Sequence, residues 1–171
     1  GLGDVYKRQT QGNPNRLNED KLMLGVSTSL NVESENESTN DYRAGLEFAM
    51  LKRKLYLGAE MYYMHVGFTK RQKIDQGYHY LGGYVQGGYF VTSRLQATAR
   101  YDFFNRNGMD TNGFMNMPAV GVNYFFKGCN LKLQAMYQFV GRWGHDTQLD
   151  RDNDDLGIAT HNATVMLQYT F

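Results

Sequence analysis

Hydropathy in this chain repeats every second residue, and the last ten residues, Asn162 to Phe171, show the repeat most plainly. Ala163, Val165, Leu167, Tyr169 and Phe171 are apolar or aromatic, while Asn162, Thr164, Met166, Gln168 and Thr170 between them are mostly polar. A period of two places the first set on one face of an extended strand and the second on the other. The terminal Phe171 belongs to the alternation, at a position where soluble chains tend to be polar and frayed.

The same rule organises the chain upstream. Lys21 to Val32 sets Leu22, Leu24, Val26, Leu30 and Val32 opposite Lys21, Gly25, Ser27, Ser29 and Asn31. Asp41 to Leu51 sets Tyr42, Ala44, Leu46, Phe48 and Met50 opposite Arg43, Gly45 and Glu47. Leu55 to Phe68, Tyr78 to Val91, Arg94 to Phe104, Pro118 to Phe126 and Leu131 to Val140 alternate in turn. Abundant Tyr (13) and Gly (19) with only 2 Pro fit a many-stranded chain better than a helical one. The expected fold class is all-β and antiparallel, with about eight strands.

The connections sort by length. Glu33 to Asn40, Thr69 to Gly77, Asn105 to Met117 and Gly141 to His161 are long and polar. Lys52 to Lys54, Thr92-Ser93 and Lys127 to Asn130 are short, and the two kinds alternate strictly. Bacterial outer-membrane barrels have short periplasmic turns and longer extracellular loops. Aromatics on the apolar face also gather at strand ends: Phe48, Tyr89, Tyr124, Phe126, Tyr169 and Phe171 toward the short turns, Tyr42, Tyr63, Tyr101, Tyr137 and Phe139 toward the long loops. Two aromatic girdles around an aliphatic band are expected of a lipid-facing surface. The pattern therefore predicts a transmembrane β-barrel in a bacterial outer membrane. Its apolar face meets lipid and lipopolysaccharide, and its carboxyl terminus is periplasmic.

Mean hydropathy of -0.57 is no objection, because a barrel is apolar only at alternate residues. No apolar run approaches the roughly 18 residues of a membrane-spanning helix. Lys plus Arg (18) against Asp plus Glu (17) gives +1, which argues against nucleic-acid binding by bulk electrostatics. The single Cys129 has no intrachain partner and no metal-ligand spacing around it. No secretory leader opens the chain, so an amino-terminal portion is expected to be missing. Gly1 to Gln9 (GLGDVYKRQ) reads as translated sequencing-adapter sequence, leaving residues 10–171 as the carboxyl-terminal portion of a barrel.

Two stretches carry a more specific resemblance: Tyr84 to Arg106 (YVQGGYFVTSRLQATARYDFFNR) and Val120 to Tyr137 (VGVNYFFKGCNLKLQAMY). They resemble the late strands of phosphate-selective porins O and P, which show GYFVT-x-x-LQ-x-x-ARYD and GVNY-x-F-KG-x-N-x-KLQ in the same order. The closing Gln168 to Phe171 is similar to that family's end. The likeness covers about the carboxyl-terminal half of a member and implies a barrel of about sixteen strands. It further implies a homotrimeric porin passing small anions such as phosphate, with no cofactor. Cys129 departs from the polar residue expected in that turn. The final strand also resembles the assembly signal of outer-membrane barrels, with Val165, Leu167, Tyr169 and Phe171 read by the barrel-insertion machinery.

With lipid on one side, the polar face lines the lumen. Arg43, Arg94, Arg100 and Lys132 are the candidate anion-guiding residues, opposed by Glu47, Glu60 and Asp102. An anion pore needs cations that replace the ion's hydration shell. The competing reading has Arg100, Asp102 and their neighbours pairing across strands to stiffen the wall. Asp146, Asp150, Asp152, Asp154 and Asp155 cluster in one loop but lack the glycine-centred turn and distal Glu of a calcium loop. A solvated acidic loop is the expectation there, bridged at most by divalent ions to lipopolysaccharide, and no metal site is expected. His65, His79, His145 and His161 fall at or near loops, with no catalytic arrangement, so no enzyme is expected. Two alternatives stay open. One is a complete eight-stranded barrel with a packed interior; the other is a soluble barrel whose apolar face lines a lipophilic cavity.

Overall fold

The computed structural model describes residues 19–31, 40–67, 78–105, 114–127, 130–143 and 159–169. They form β1 (Asp20–Asn31), β2 (Asn40–Lys52), β3 (Leu55–Gly67), β4 (Tyr78–Phe90), β5 (Leu95–Asn105), β6 (Phe114–Lys127), β7 (Leu131–Trp143) and β8 (Ala159–Tyr169). All eight join one sheet in sequence order, each antiparallel to the next. The shortest, β5 and β8, have 11 residues, and a tilted strand needs about 9–11 to cross a bilayer's hydrocarbon.

Along much of β1 and β6 exposure alternates with the sequence, but in the sense opposite to a soluble protein. On β1, Leu22, Leu24 and Val26 are 66%, 73% and 78% exposed, while Lys21, Met23 and Gly25 between them are half-buried. On β6, Val120, Val122 and Tyr124 are exposed, whereas Ala119 and Phe125 are buried and Asn123 is half-buried. The sheet therefore curves around its polar face and turns its apolar face outward. Water would make that arrangement costly, at about 25 cal/mol per Å² of apolar surface; lipid removes the cost. A soluble barrel with a lipophilic cavity needs the reverse curvature.

Register gives the sheet its stagger. One row of paired residues runs Leu22, Met50, Leu57, Gly87, Ala99, Val120, Tyr137 and Ala163. Leu22 is two residues inside the short-turn end of β1 at Asp20, whereas Ala163 is six inside that of β8 at Tyr169. Such progressive offset accompanies the strand tilt that lets a sheet curl toward a barrel. The two outermost strands, β1 and β8, each pair with one neighbour in this sheet.

Most strand limits shift by one residue from expectation, and larger shifts occur at the start of β6, the end of β7 and the start of β8. β6 starts at Phe114, not Pro118, because Phe114 to Met117 pair with Asn105 to Asp102. β7 runs on to Trp143, and β8 begins at Ala159, inside what reads as a loop from Gly141 to His161. Arg94 lies in the turn before β5, where its carbonyl accepts a 2.8 Å bond from the Phe125 amide. The assignment of Gly1 to Gln9, the acidic loop 146–155, Cys129 and Phe171 all lie outside the described residues.

The short turns have identifiable causes. Arg53 takes φ 52° between β2 and β3, the left-handed conformation that a two-residue hairpin loop demands. The Arg53 amide also donates to Asp20 Oδ1 at 3.2 Å, tying the turn to β1. Between β4 and β5, Thr92 Oγ1 accepts from the amides of Arg94 (3.2 Å) and Leu95 (3.0 Å), a hydroxyl mimic of a backbone turn.

Candidate pore lining

Side chains on the inner face change character from the short-turn end to the long-loop end. At the short-turn end Leu51, Tyr56, Phe90 and Phe125 are buried, with the Phe90 and Phe125 rings 5.5 Å apart. Both phenylalanines fall on the polar parity of their strands, so alternation alone gave no sign of this apolar belt. Tyr56 lies flat along the wall because Gly58 leaves room; a Cβ at Gly58 would stand 2.5 Å from the phenol oxygen.

An amide ladder comes next. Asn123 Nδ2 donates to Gln96 Oε1 and Gln134 Nε2 donates to Asn123 Oδ1, both at 2.9 Å. Gln86 Nε2 donates to Tyr56 Oη, also at 2.9 Å. These groups line a depression of about 230 Å³ that Arg100 and Lys132 also border. Buried polar groups are stable when partnered in this way.

Charge concentrates midway along β3, β4 and β5. Glu60, only 8% exposed, accepts hydrogen bonds from the hydroxyls of Tyr62 and Tyr84. Its register partner on β2 is Glu47. Like charges placed opposite each other repel, and charge-assisted bonds from two phenols offset the cost by about 1.5–3 kcal/mol each. Arg100 covers the Tyr84 ring at 3.9 Å from its centroid. It grips both oxygens of Asp102 and donates to Gln86 Oε1 at 3.3 Å. Toward the long-loop end the inner face turns aromatic again, with Tyr80 and Phe104 stacked at 6.4 Å around a depression of about 510 Å³.

The expected lining residues are thus distributed unevenly. Glu60, Arg100 and Asp102 come together in one network, with Glu47 at its edge. Arg43 stands apart on β2 with its side chain 61% exposed, 4.0 Å from Asp41. Lys132 is half-buried on β7 between Phe125 and Gln168 in register. Arg94 is exposed at the short-turn rim. On β8 every described side chain from Thr160 to Tyr169 is exposed, with Val165 (73%), Leu167 (65%) and Tyr169 (62%) on the outer parity. Among described side chains the strands' inner face holds Lys21, Arg43, Arg100 and Lys132 against Asp41, Glu47, Glu60 and Asp102. The wall is close to charge balance.

Sequence reading missed the phenol grip on Glu60. The signal available was register: Tyr62 lies two residues along the same face, and Tyr84 sits opposite.

A family model described as phosphate-selective porin O and P matches residues 6–171. No curated protein and no solved structure matches the chain.

Proposed function

Because the chain belongs to the phosphate-selective porin O and P family, we propose that it works as a passive outer-membrane channel for small anions such as phosphate. Family membership supports a bacterial outer-membrane location and a channel rather than an enzyme. The observation that carries the reading is the inverted exposure of the sheet, with amides, phenols and charges inside and aliphatic residues outside. Solutes pass through water held by the inner face, and lumen charges bias which ions enter.

Within that reading the cations have unequal roles. Arg100 is neutralised by Asp102 and stiffens the wall, as the pairing interpretation expects. Guidance falls to Arg43 on the open wall, to Lys132 beside the amide ladder and to Arg94 at the short-turn mouth. Because the described wall is nearly balanced, any strong anion preference draws on residues elsewhere in the barrel.

The chain is proposed to be the carboxyl-terminal portion of a larger barrel, trimeric when complete. Unpaired strand edges cannot face hydrocarbon, and among the described residues β1 and β8 do not pair with each other. Further strands joining those edges would close the wall. The long loops would face outward toward lipopolysaccharide, with the short turns in the periplasm, and the insertion machinery would engage the final strand.

Planar-bilayer recording tests the function. Under a potassium phosphate gradient the complete channel should show a reversal potential of anion-preferring sign, reduced by Arg43→Gln and by Lys132→Gln. A cation-preferring potential would refute the anion reading. Small or absent currents from the refolded 171-residue chain fit a portion of a larger barrel; large, uniform currents would contradict it.

A further inference from the structure

The outer face carries one arrangement that neither lipid contact nor the lumen uses. At the long-loop end of β3 and β4, His65 and His79 are register partners. Their ring centroids lie 4.5 Å apart with the planes at 55°. Side chains directly opposite on one face of a sheet reach the same point in space, so two imidazoles there can share one ligand.

Their neighbours hold them in place. Tyr63 Oη lies 2.6 Å from His79 Nδ1, and the Tyr42 hydroxyl donates to Tyr63 Oη at 3.3 Å. The Tyr42 ring stacks on His65 at 5.1 Å and 24°. At His79 the partner on Nδ1 fixes the tautomer and leaves the other nitrogen to bind metal, the usual outer-shell arrangement of a ligating histidine, while His65 is held by the ring stack.

We propose that His65 and His79 form a two-imidazole site for a borderline transition-metal dication (copper, nickel or zinc) that clips β3 to β4. Two imidazoles at adjacent positions on one ion, with metal–nitrogen bonds of about 2.0–2.1 Å, place their ring centroids roughly 4.5–5 Å apart, the shorter value for a square-planar ion and the longer for a tetrahedral one. The observed spacing of 4.5 Å falls in that range. Among the described residues no three His, Cys, Asp or Glu side chains converge, so the protein supplies two ligands and water or a lipid phosphate supplies the rest. Hard Ca²⁺ and Mg²⁺ need a shell of oxygens and do not fit. Copper should bind most tightly, following the general order for nitrogen ligands.

His161 provides an internal contrast. It lies at the same end of the outer face with the Tyr137 hydroxyl on its Nδ1, but its register partner is Phe139. It has the phenol support without the second imidazole.

Isothermal titration of CuCl₂ and NiCl₂ into the complete, folded, detergent-solubilised channel should show a site that His65→Gln and His79→Gln each weaken at least tenfold. His161→Gln should leave that site unchanged. Equal weakening by all three variants, or by none, would overturn the proposal. Heat-modifiable gel mobility reports whether each variant has folded. If a variant has not, paramagnetic resonance of the copper-loaded wild type decides: coupling to two imidazole nitrogens is expected, and coupling to one overturns the site.

Discussion

The guanidinium of Arg100 rests 3.9 Å from the centroid of the Tyr84 ring while its nitrogens hold Asp102 at 2.6–2.9 Å. Tyr84 in turn donates to Glu60. A cation, a phenol and two carboxylates therefore form one continuous patch across β3, β4 and β5. Such a patch ties the middle of the wall together and offsets the charge of Arg100 with that of Asp102.

Removing the carboxylate should release the cation. Asp102→Asn leaves the shape of the side chain and deletes its charge, so the wall around Arg100 becomes one unit more positive. Reversal potentials of the complete channel should move toward greater anion preference, and Asp102→Asn with Arg100→Gln should restore the original value. An unchanged potential in the single variant would make the pair purely structural.

The Arg53 turn offers a prediction about stability. A non-glycine residue in the left-handed region costs about 1–2 kcal/mol, so Arg53→Gly should stabilise the hairpin by about 1 kcal/mol. Arg53→Val, β-branched at the same φ of 52°, should destabilise it by at least as much. Urea unfolding from lipid vesicles measures both. The amide bond to Asp20 Oδ1 is a backbone contact that either variant retains.

Face-dependent charge tolerance follows from the direction of the sheet. Leu46 is 51% exposed on the outer face, and Leu46→Arg should cost about 2–4 kcal/mol in a bilayer. Ser27 points the other way, pairing with Gly45, and Ser27→Arg should cost under about 1 kcal/mol. Equal costs in vesicle refolding would show that the outer face does not meet hydrocarbon.

Orientation is tested by thiol labelling on intact cells. With Cys129→Ser as background, a cysteine at Ser93 in the short turn should resist a membrane-impermeant reagent, while one at Asp150 should react. The reverse result would invert the topology. In the same cells, deletion of Phe171 should lower the amount of assembled protein; normal levels would remove its role as an assembly signal.

Much of this fold was legible because lipid and water impose period two on every strand. Strand order, the short turns and the division into outer and inner faces followed from that period. Alternation failed where the inner face is not polar. Met115 and Met117 point inward beside Phe104 and Asp102, so Phe114 to Met117 has no polar–apolar rhythm and resembles a loop. Ala159 to His161 is ambiguous for a related reason, since small and aromatic-like residues serve either face near the headgroups. In the lining, the Arg100–Asp102 pair was visible as neighbours on one face. The phenols on Glu60 and the His65–His79 contact depend on cross-strand register, which a single strand's sequence does not carry.

Adjacent residues of one strand face different solvents, and Thr98 and Ala99 on β5 test this with little disturbance. Thr98 is half-buried on the inner face and Ala99 exposed on the outer. Each is replaced in turn by cysteine in the Cys129→Ser background, spin-labelled and reconstituted in vesicles. The label at position 99 should collide with dissolved oxygen, which concentrates in lipid, and the label at position 98 with a water-soluble nickel chelate. The opposite pair of accessibilities, or no difference between the two positions, would contradict the account.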